Sequence, residues 1–219
     1  MSRSSILANL ENKRSDAGDV AERACKDPDL LSDLLVGIAS AKPEVKYGAI
    51  KALAIVSKKY PQMLYPQMDF FEALLNGENQ ILKWNAIDII ANLTVVDIEG
   101  RFDRVFEEFY SHLGEGNLIT AGHVVDSSGT IVKSKPELAA KIERKLLEVY
   151  GVPLPTEECR NILIGKAINA FDSFYEEAED KEGIIAFVKR ETGNSRNATR
   201  KKAERFLKKW VRARRSTLL

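Results

Sequence analysis

The sequence predicts an all-α fold, with about five pairs of helices stacked into a short right-handed superhelix. Three observations predict it. The first is an internal repeat: "VKYGAIKALAIV" (Val45 to Val56) matches "LKWNAIDIIANL" (Leu82 to Leu93) at a separation of 37, "AGHVVDSSGTI" follows at 38, "GKAINAFDSF" at 43 and "TRKKAERFLKKW" at 36. Periods of this length belong to repeats of two or three helices. The second is that the segments between these stretches carry apolar residues at i, i+3, i+4 and i+7, the spacing of one helix face. The third is that no useful length of the chain alternates apolar and polar residues with the period of two that a strand needs.

The elements follow in order along a single domain of 219 residues. Residues 1–27 form an N-terminal cap with a helical segment, "SDAGDVAERACKD". The repeats then fall near 28–61, 62–98, 99–136, 137–179 and 180–215, each a first helix (A) followed by a second (B). The A helices are "DLLSDLLVGIAS", "MDFFEALLNGEN", "RFDRVFEEFYSHL", "ELAAKIERKLLEVYG" and "EGIIAFVKRETG", most of them ending near Gly or Asn, which suits a helix C-terminus. The B helices are the repeated stretches themselves. No pair can bury its apolar face alone, so stability must come from stacking on neighbours, with the ends acting as caps.

These units resemble HEAT or armadillo-type repeats: a proline or polar turn such as "KKYPQM" or "SKPEL", Lys or Arg early in the second helix, then an Ala-Ile-x-x-Leu pattern. The resemblance spans roughly Pro28 to Arg215. It implies that the B helices line an inner, concave surface and that partners bind there. The third repeat departs from the pattern, lacking the early Lys/Arg and carrying Ser in place of core Leu.

One stretch of that repeat, "ITAGHVVDSSGTIV", gathers His123, Asp126, Ser127 and Ser128 and invites a hydrolytic reading. The register answers it. Ser127 and Ser128 fall where Ala52 and Leu53 or Ile89 and Ile90 point into the core, and a serine hydroxyl there bonds back to its own helix. His123 falls in a column with Gly48, Asn85, Lys166 and Lys202, a solvent-facing position. The stretch is expected to be helix, and no catalytic residue is assigned.

Composition narrows the class further. The chain is 44% hydrophobic and 30% charged, with a formal net charge of +1. Arg196 to Arg215 nonetheless holds ten Lys/Arg against the single acid Glu204. The rest of the chain is correspondingly acidic, so the basic end reads as a docking surface. Cys25 and Cys159 are far apart and match neither a zinc pattern nor a disulfide framework, and the N-terminus lacks the apolar run of a secretory signal. No segment reaches the length of apolar chain that spans a bilayer. A cytoplasmic protein is expected.

Candidate binding residues come from two columns on the B helices. One holds Tyr47, Trp84, Gly122, Gly165 and Lys201; the other, four residues on, holds Lys51, Asp88, Asp126, Asn169 and Arg205. On the concave face these would make two aromatic walls, two glycine gaps, flanking acids and an amide, and a basic end. Glycine inside a helix costs about 1 kcal/mol relative to alanine, so either a ligand approaches the backbone there or neighbouring helices pack closely. Arg200, Lys201, Arg205, Lys208, Lys209 and Arg212 form a basic patch on the last helix, around a buried stripe of Ala203, Phe206, Leu207 and Trp210.

The reading is a non-enzymatic scaffold that binds a protein partner on the concave face. Two alternatives stand beside it. One is a nucleic-acid or DNA-repair module using the basic helix; Trp84 with Asp88 faintly resembles the aromatic-aspartate pairs of HEAT-like alkylpurine DNA glycosylases. Against it, the next repeat supplies His123 and Asp126 instead of arginine, and the central face lacks the cations a phosphate backbone wants. The other alternative is a small-ligand site around Trp84, Gly122 and Asp126. No metal site or cofactor is expected: His112 and His123 are the only histidines, and no phosphate-cradling GxxxxGK[ST] occurs.

Overall fold

Helix starts in this chain are set by short polar side chains that accept the first free backbone N–H groups. Asp16 accepts from Gly18 N ahead of α1 (Ala17–Ala24), and Asp27 accepts from Asp29 N and Leu30 N ahead of α2 (Pro28–Gly37). Proline opens α3 (Pro43–Lys59) and the one-turn helix α4 (Pro61–Leu64), at positions where its missing N–H costs nothing. After a 3₁₀ turn come α5 (Met68–Leu75) and α6 (Gln80–Leu93), the latter capped by Asn79 on Leu82 N. Then follow α7 (Arg101–Ser111), α8 (Leu118–Ser134), α9 (Ala139–Leu147), α10 (Glu157–Phe174), α11 (Lys181–Arg190) and α12 (Asn197–Leu207), which ends in a π-helical turn, Lys208–Arg212. Asn117, Thr156 and Asp180 cap α8, α10 and α11 in turn.

The structure is a computed structural model that describes residues 16–212. Residues 1–15 of the expected cap and 213–215 of the expected last repeat lie outside the described residues. Among the described residues there is no strand, and no helix is long and apolar enough to cross a membrane. The expected all-α class holds, and each predicted A and B segment is a helix. The sequence reading did not anticipate the short 3₁₀ and one-turn pieces between them, such as Pro61–Leu64.

Contacts divide the chain into two compact units, at Val105 and Phe106. In the first, α1 and α2 pack on α3, α3 packs on α6, and α5 packs on α6. Leu30, Leu34, Leu53, Val56, Phe71, Leu75, Ile87 and Ile90 fill this core. Polar ties link its layers. Asn92 Nδ2 donates to Ser57 Oγ at 3.0 Å, and Ser57 in turn donates to Ala54 O at 2.8 Å. The Asp97 carboxylate accepts from Tyr65 Oη at 2.6 Å and from the backbone of Arg101 and Phe102 at 2.8 and 3.0 Å, fixing the turn before α7.

In the second unit α8 packs on α10, α10 on α12, and α11 on α12. Phe109, Val125, Ile142, Phe171, Phe174, Ile184 and Phe206 are buried there. Glu143, on α9, is a buried carboxylate that accepts from Glu179 N at 2.7 Å and Asp180 N at 2.8 Å. Ser127 and Ser128 are buried, as their register requires. Ser128 Oγ donates to Val124 O at 2.9 Å, which leaves the hydrogen of Tyr110 Oη to point at Ser128 Oγ, 3.0 Å away. Burial raises the Tyr110 phenol well above the usual tyrosine range. The apparent Ser-His-Asp grouping is therefore helix core plus helix surface.

Candidate functional site

In the first unit the candidate side chains stand on α3 and α6. Tyr47 is half-buried, and its hydroxyl accepts from Asn79 Nδ2 at 3.2 Å. Asn79 also caps α6, so Tyr47 ties one B helix to the start of the next. Lys51, one turn on, is exposed. Trp84 and Asp88 are half-buried on α6 and share a face at i,i+4 spacing.

In the second unit the glycine gaps are filled by side chains of the next B helix. Gly122 is buried, and a Cβ built on it would lie 3.0 Å from Lys166 Cε. The Lys166 stem crosses Gly122 from α10, and its ammonium pairs with Asp126. Gly165 repeats the arrangement against α12. A Cβ there would meet Thr199 Oγ1 at 2.8 Å, and Lys202 Nζ donates to Gly165 O at 3.0 Å. Burial first, then the Lys166 ammonium, holds the Lys202 amine below the usual lysine range. Asn169 is exposed beside this ladder. Close approach of the next B helix thus accounts for both glycines.

The two glycines differ in what a methyl group would displace, and this gives a test. Thr199 is fully buried and donates to Asn161 O at 2.7 Å, whereas Lys166 is a flexible chain. Gly165→Ala is expected to destabilise by about 1–3 kcal/mol, because it breaks that buried bond or forces α10 and α12 apart. Gly122→Ala is expected to fall within about 1 kcal/mol of wild type, because helix propensity offsets the shift of Lys166. Urea midpoints of the two variants check the order; equal losses would refute this account of the glycines.

The basic patch separates into bracing and outward-facing residues. Arg200 donates to Asn194 O at 2.8 Å and to Asn197 Oδ1 at 3.1 Å, holding the start of α12. Lys209 Nζ and Trp210 Nε1 both donate to Asp172 Oδ1, at 2.9 and 2.6 Å. Ala203 and Phe206 are buried in the stripe, and Leu207 and Trp210 are half-buried. Lys201, Arg205 and Lys208 are exposed and, with Thr192, Glu204 and Leu207, line an open groove of about 610 Å³. The Arg212 side chain lies outside the described residues.

Sequence reasoning missed Lys166, Lys202, Asn161 and Thr199 as the residues that fill and brace the glycine gaps. The available signal was that Lys166 and Lys202 each stand one place after the glycine column, in the repeat that packs on that glycine. No group of three or more His, Cys, Asp and Glu among the described residues is arranged to hold a metal ion. His112, half of the histidine complement, is buried with its Nδ1 2.7 Å from Glu115 Oε1.

No protein-family model and no curated protein matches the chain. Solved structures do. A designed armadillo repeat protein is similar over 93% of this chain and 91% of its own, with a TM-score of 0.64 at 18% identity. Another designed armadillo repeat protein, in complex with the peptide (KR)4, is similar over 94% of this chain and 91% of its own, with a TM-score of 0.61 at 15% identity. An engineered protein is similar over 95% of this chain and 96% of its own, with a TM-score of 0.55 at 14% identity. At these identities the likeness concerns the fold, and the chain is an all-α helical-repeat solenoid.

Proposed function

We propose that the chain is a non-enzymatic scaffold that binds an extended segment of a protein partner along the exposed face of its B helices. One observation carries this reading. The same register on the B helices stays at least partly exposed and carries mixed charge: Lys51 and Asp88 in the first unit, Asp126, Asn169 and Arg205 in the second. Within each unit such a row reads the sequence of a bound chain one repeat at a time. Tyr47 and Trp84 flank it as half-exposed aromatics, the residue types that anchor interfaces. A structurally similar designed protein holding a peptide agrees with this use of the fold. Cys25 and Cys159 are free thiols, which suits a reducing compartment, and the cytoplasm is the proposed location.

Selection from a random linear-peptide library against the full chain tests the reading. Enriched peptides are expected to lose about tenfold or more in affinity, about 1.4 kcal/mol, on Trp84→Ala and on Asp88→Lys. No enrichment, or binders indifferent to both changes, would end the proposal. The three outward cations of α12 favour a second reading, nucleic-acid binding, which the next experiment also decides.

A further inference from the structure

Lys201, Arg205 and Lys208 differ from the other basic residues of the second unit's end. Arg196, Arg200 and Lys209 each have a carboxylate, carbonyl or amide partner. The three groove cations have no ion pair or side-chain hydrogen bond with any described residue. Like charges at i,i+4 on a helix repel by a few tenths of a kcal/mol, and Lys202 beside them adds a further ammonium. An anionic occupant would relieve all of this.

The spacing and lining identify the kind of anion. Lys201 and Lys208, with Arg205 between them, stand seven positions apart along the helix, about 10 Å. An extended peptide presents side chains of one face about every 7 Å, close to the roughly 6 Å rise from Lys201 to Arg205. Long lysine and arginine side chains absorb the difference. Glu204 sits among them in the lining. A nucleic acid carries a phosphate at every nucleotide and must set one against that carboxylate, whereas a peptide can place a neutral residue there. Leu207 adds half-buried apolar surface to the same groove, and Thr192 Oγ1, which donates to Lys189 O at 2.8 Å, keeps its lone pairs for a peptide N–H.

We propose that the α12 groove docks an acidic, extended segment of a protein partner, with carboxylates on Lys201, Arg205 and Lys208 and an apolar side chain against Leu207. The proposal rests on the scaffold reading and specifies the charge of the partner where it reaches the last B helix.

The test is fluorescence anisotropy with the full chain and labelled probes: an alternating Asp-Leu peptide, (KR)4 of the same length, a Gly-Ser peptide and a short duplex DNA. Each is titrated at about 50 and 200 mM salt, a range over which phosphate-driven binding collapses. The Asp-Leu peptide is expected to bind, and to weaken about tenfold or more with K201E/R205E but less than about twofold with the charge-matched K58E/K133E. DNA binding tighter than the acidic peptide at the higher salt would replace this proposal with the nucleic-acid reading. Acidic-peptide binding unchanged in K201E/R205E would place the site elsewhere and overturn the groove. If (KR)4 or library-selected peptides bind and the Asp-Leu peptide does not, the scaffold reading stands and the acidic partner falls. If no peptide binds in either experiment, both fall.

Discussion

Replacing Phe171 by alanine is expected to destabilise the second unit by about 3–5 kcal/mol, the range for deleting a fully buried phenyl ring. Phe171 is 0% exposed and links two helices through ring contacts. Its centroid lies 5.9 Å from Phe174 on the same helix and 5.5 Å from Phe187 on α11, and Phe187 in turn lies 5.0 Å from Tyr150 after α9. Removing the central ring leaves a cavity that rigid helices close only in part, and it also unsupports Phe187. Phe171→Leu keeps most of the volume and is expected to cost less than about 2 kcal/mol. Urea unfolding followed by fluorescence checks both, since Trp84 lies in the first unit and Trp210 in the second. The Trp210 signal, isolated in a Trp84→Phe background, is the one that must move. An alanine loss under about 1 kcal/mol would show that this cluster does not organise the unit.

The second large effect is expected at Glu143. This carboxylate is 2% exposed, yet it faces no basic partner in the hydrogen bonds it makes; both oxygens accept backbone N–H groups, at 2.7 and 2.8 Å. It thereby holds residues 179 and 180 in place, and Asp180 then caps α11 through Gly183 N at 2.8 Å. Glu143→Ala removes two charge-assisted bonds and leaves two N–H groups without their acceptor, a loss of about 2–4 kcal/mol. Glu143→Gln is not expected to rescue it, because its amide nitrogen would face one of those donors. Urea midpoints give the magnitude. Hydrogen exchange at the Glu179 and Asp180 amides gives the cause: both should lose protection in Glu143→Ala, and at least one in Glu143→Gln. Fast exchange already present in the wild type would refute the clamp.

How far such features can be read in advance depends on how local they are. Glu143 sits within "ELAAKIERKLLEVYG" as one more charge on an amphipathic helix, and nothing around it in sequence marks it as buried. The backbone N–H donors that it accepts from lie 36 and 37 residues away. Ser128 was legible, by contrast, because the repeat register placed it in a column of core residues. The sequence reading did not single out the caps Asp27, Asn79, Asn117 and Thr156, although each acts within three residues of itself.

The candidate site divides along the same line. The columns Tyr47–Trp84–Gly122–Gly165–Lys201 and Lys51–Asp88–Asp126–Asn169–Arg205 follow from the repeat period alone, and in the structure most of the second column is exposed. Whether the glycines were ligand gaps or packing gaps was undetermined in sequence, since either use removes the same Cβ. The choice depends on Lys166 and Thr199, which reach them from the neighbouring helix. Likewise, six basic residues on α12 were equivalent as a charge run. Only the positions of Asn194, Asn197 and Asp172 separate Arg200 and Lys209, which brace the helix, from Lys201, Arg205 and Lys208, which face solvent.

By itself, then, the sequence determined the all-α class, the order of the helices and the buried face of each. These depend on periodicity and on contacts within a few residues, both of which are written along the chain. The tertiary structure decided which charged residues hold the fold and which remain available to a partner. Hydrogen bonds and ion pairs between repeats join atoms some 35 to 40 positions apart. Their geometry depends on how one helix sits on the next, which no local pattern encodes.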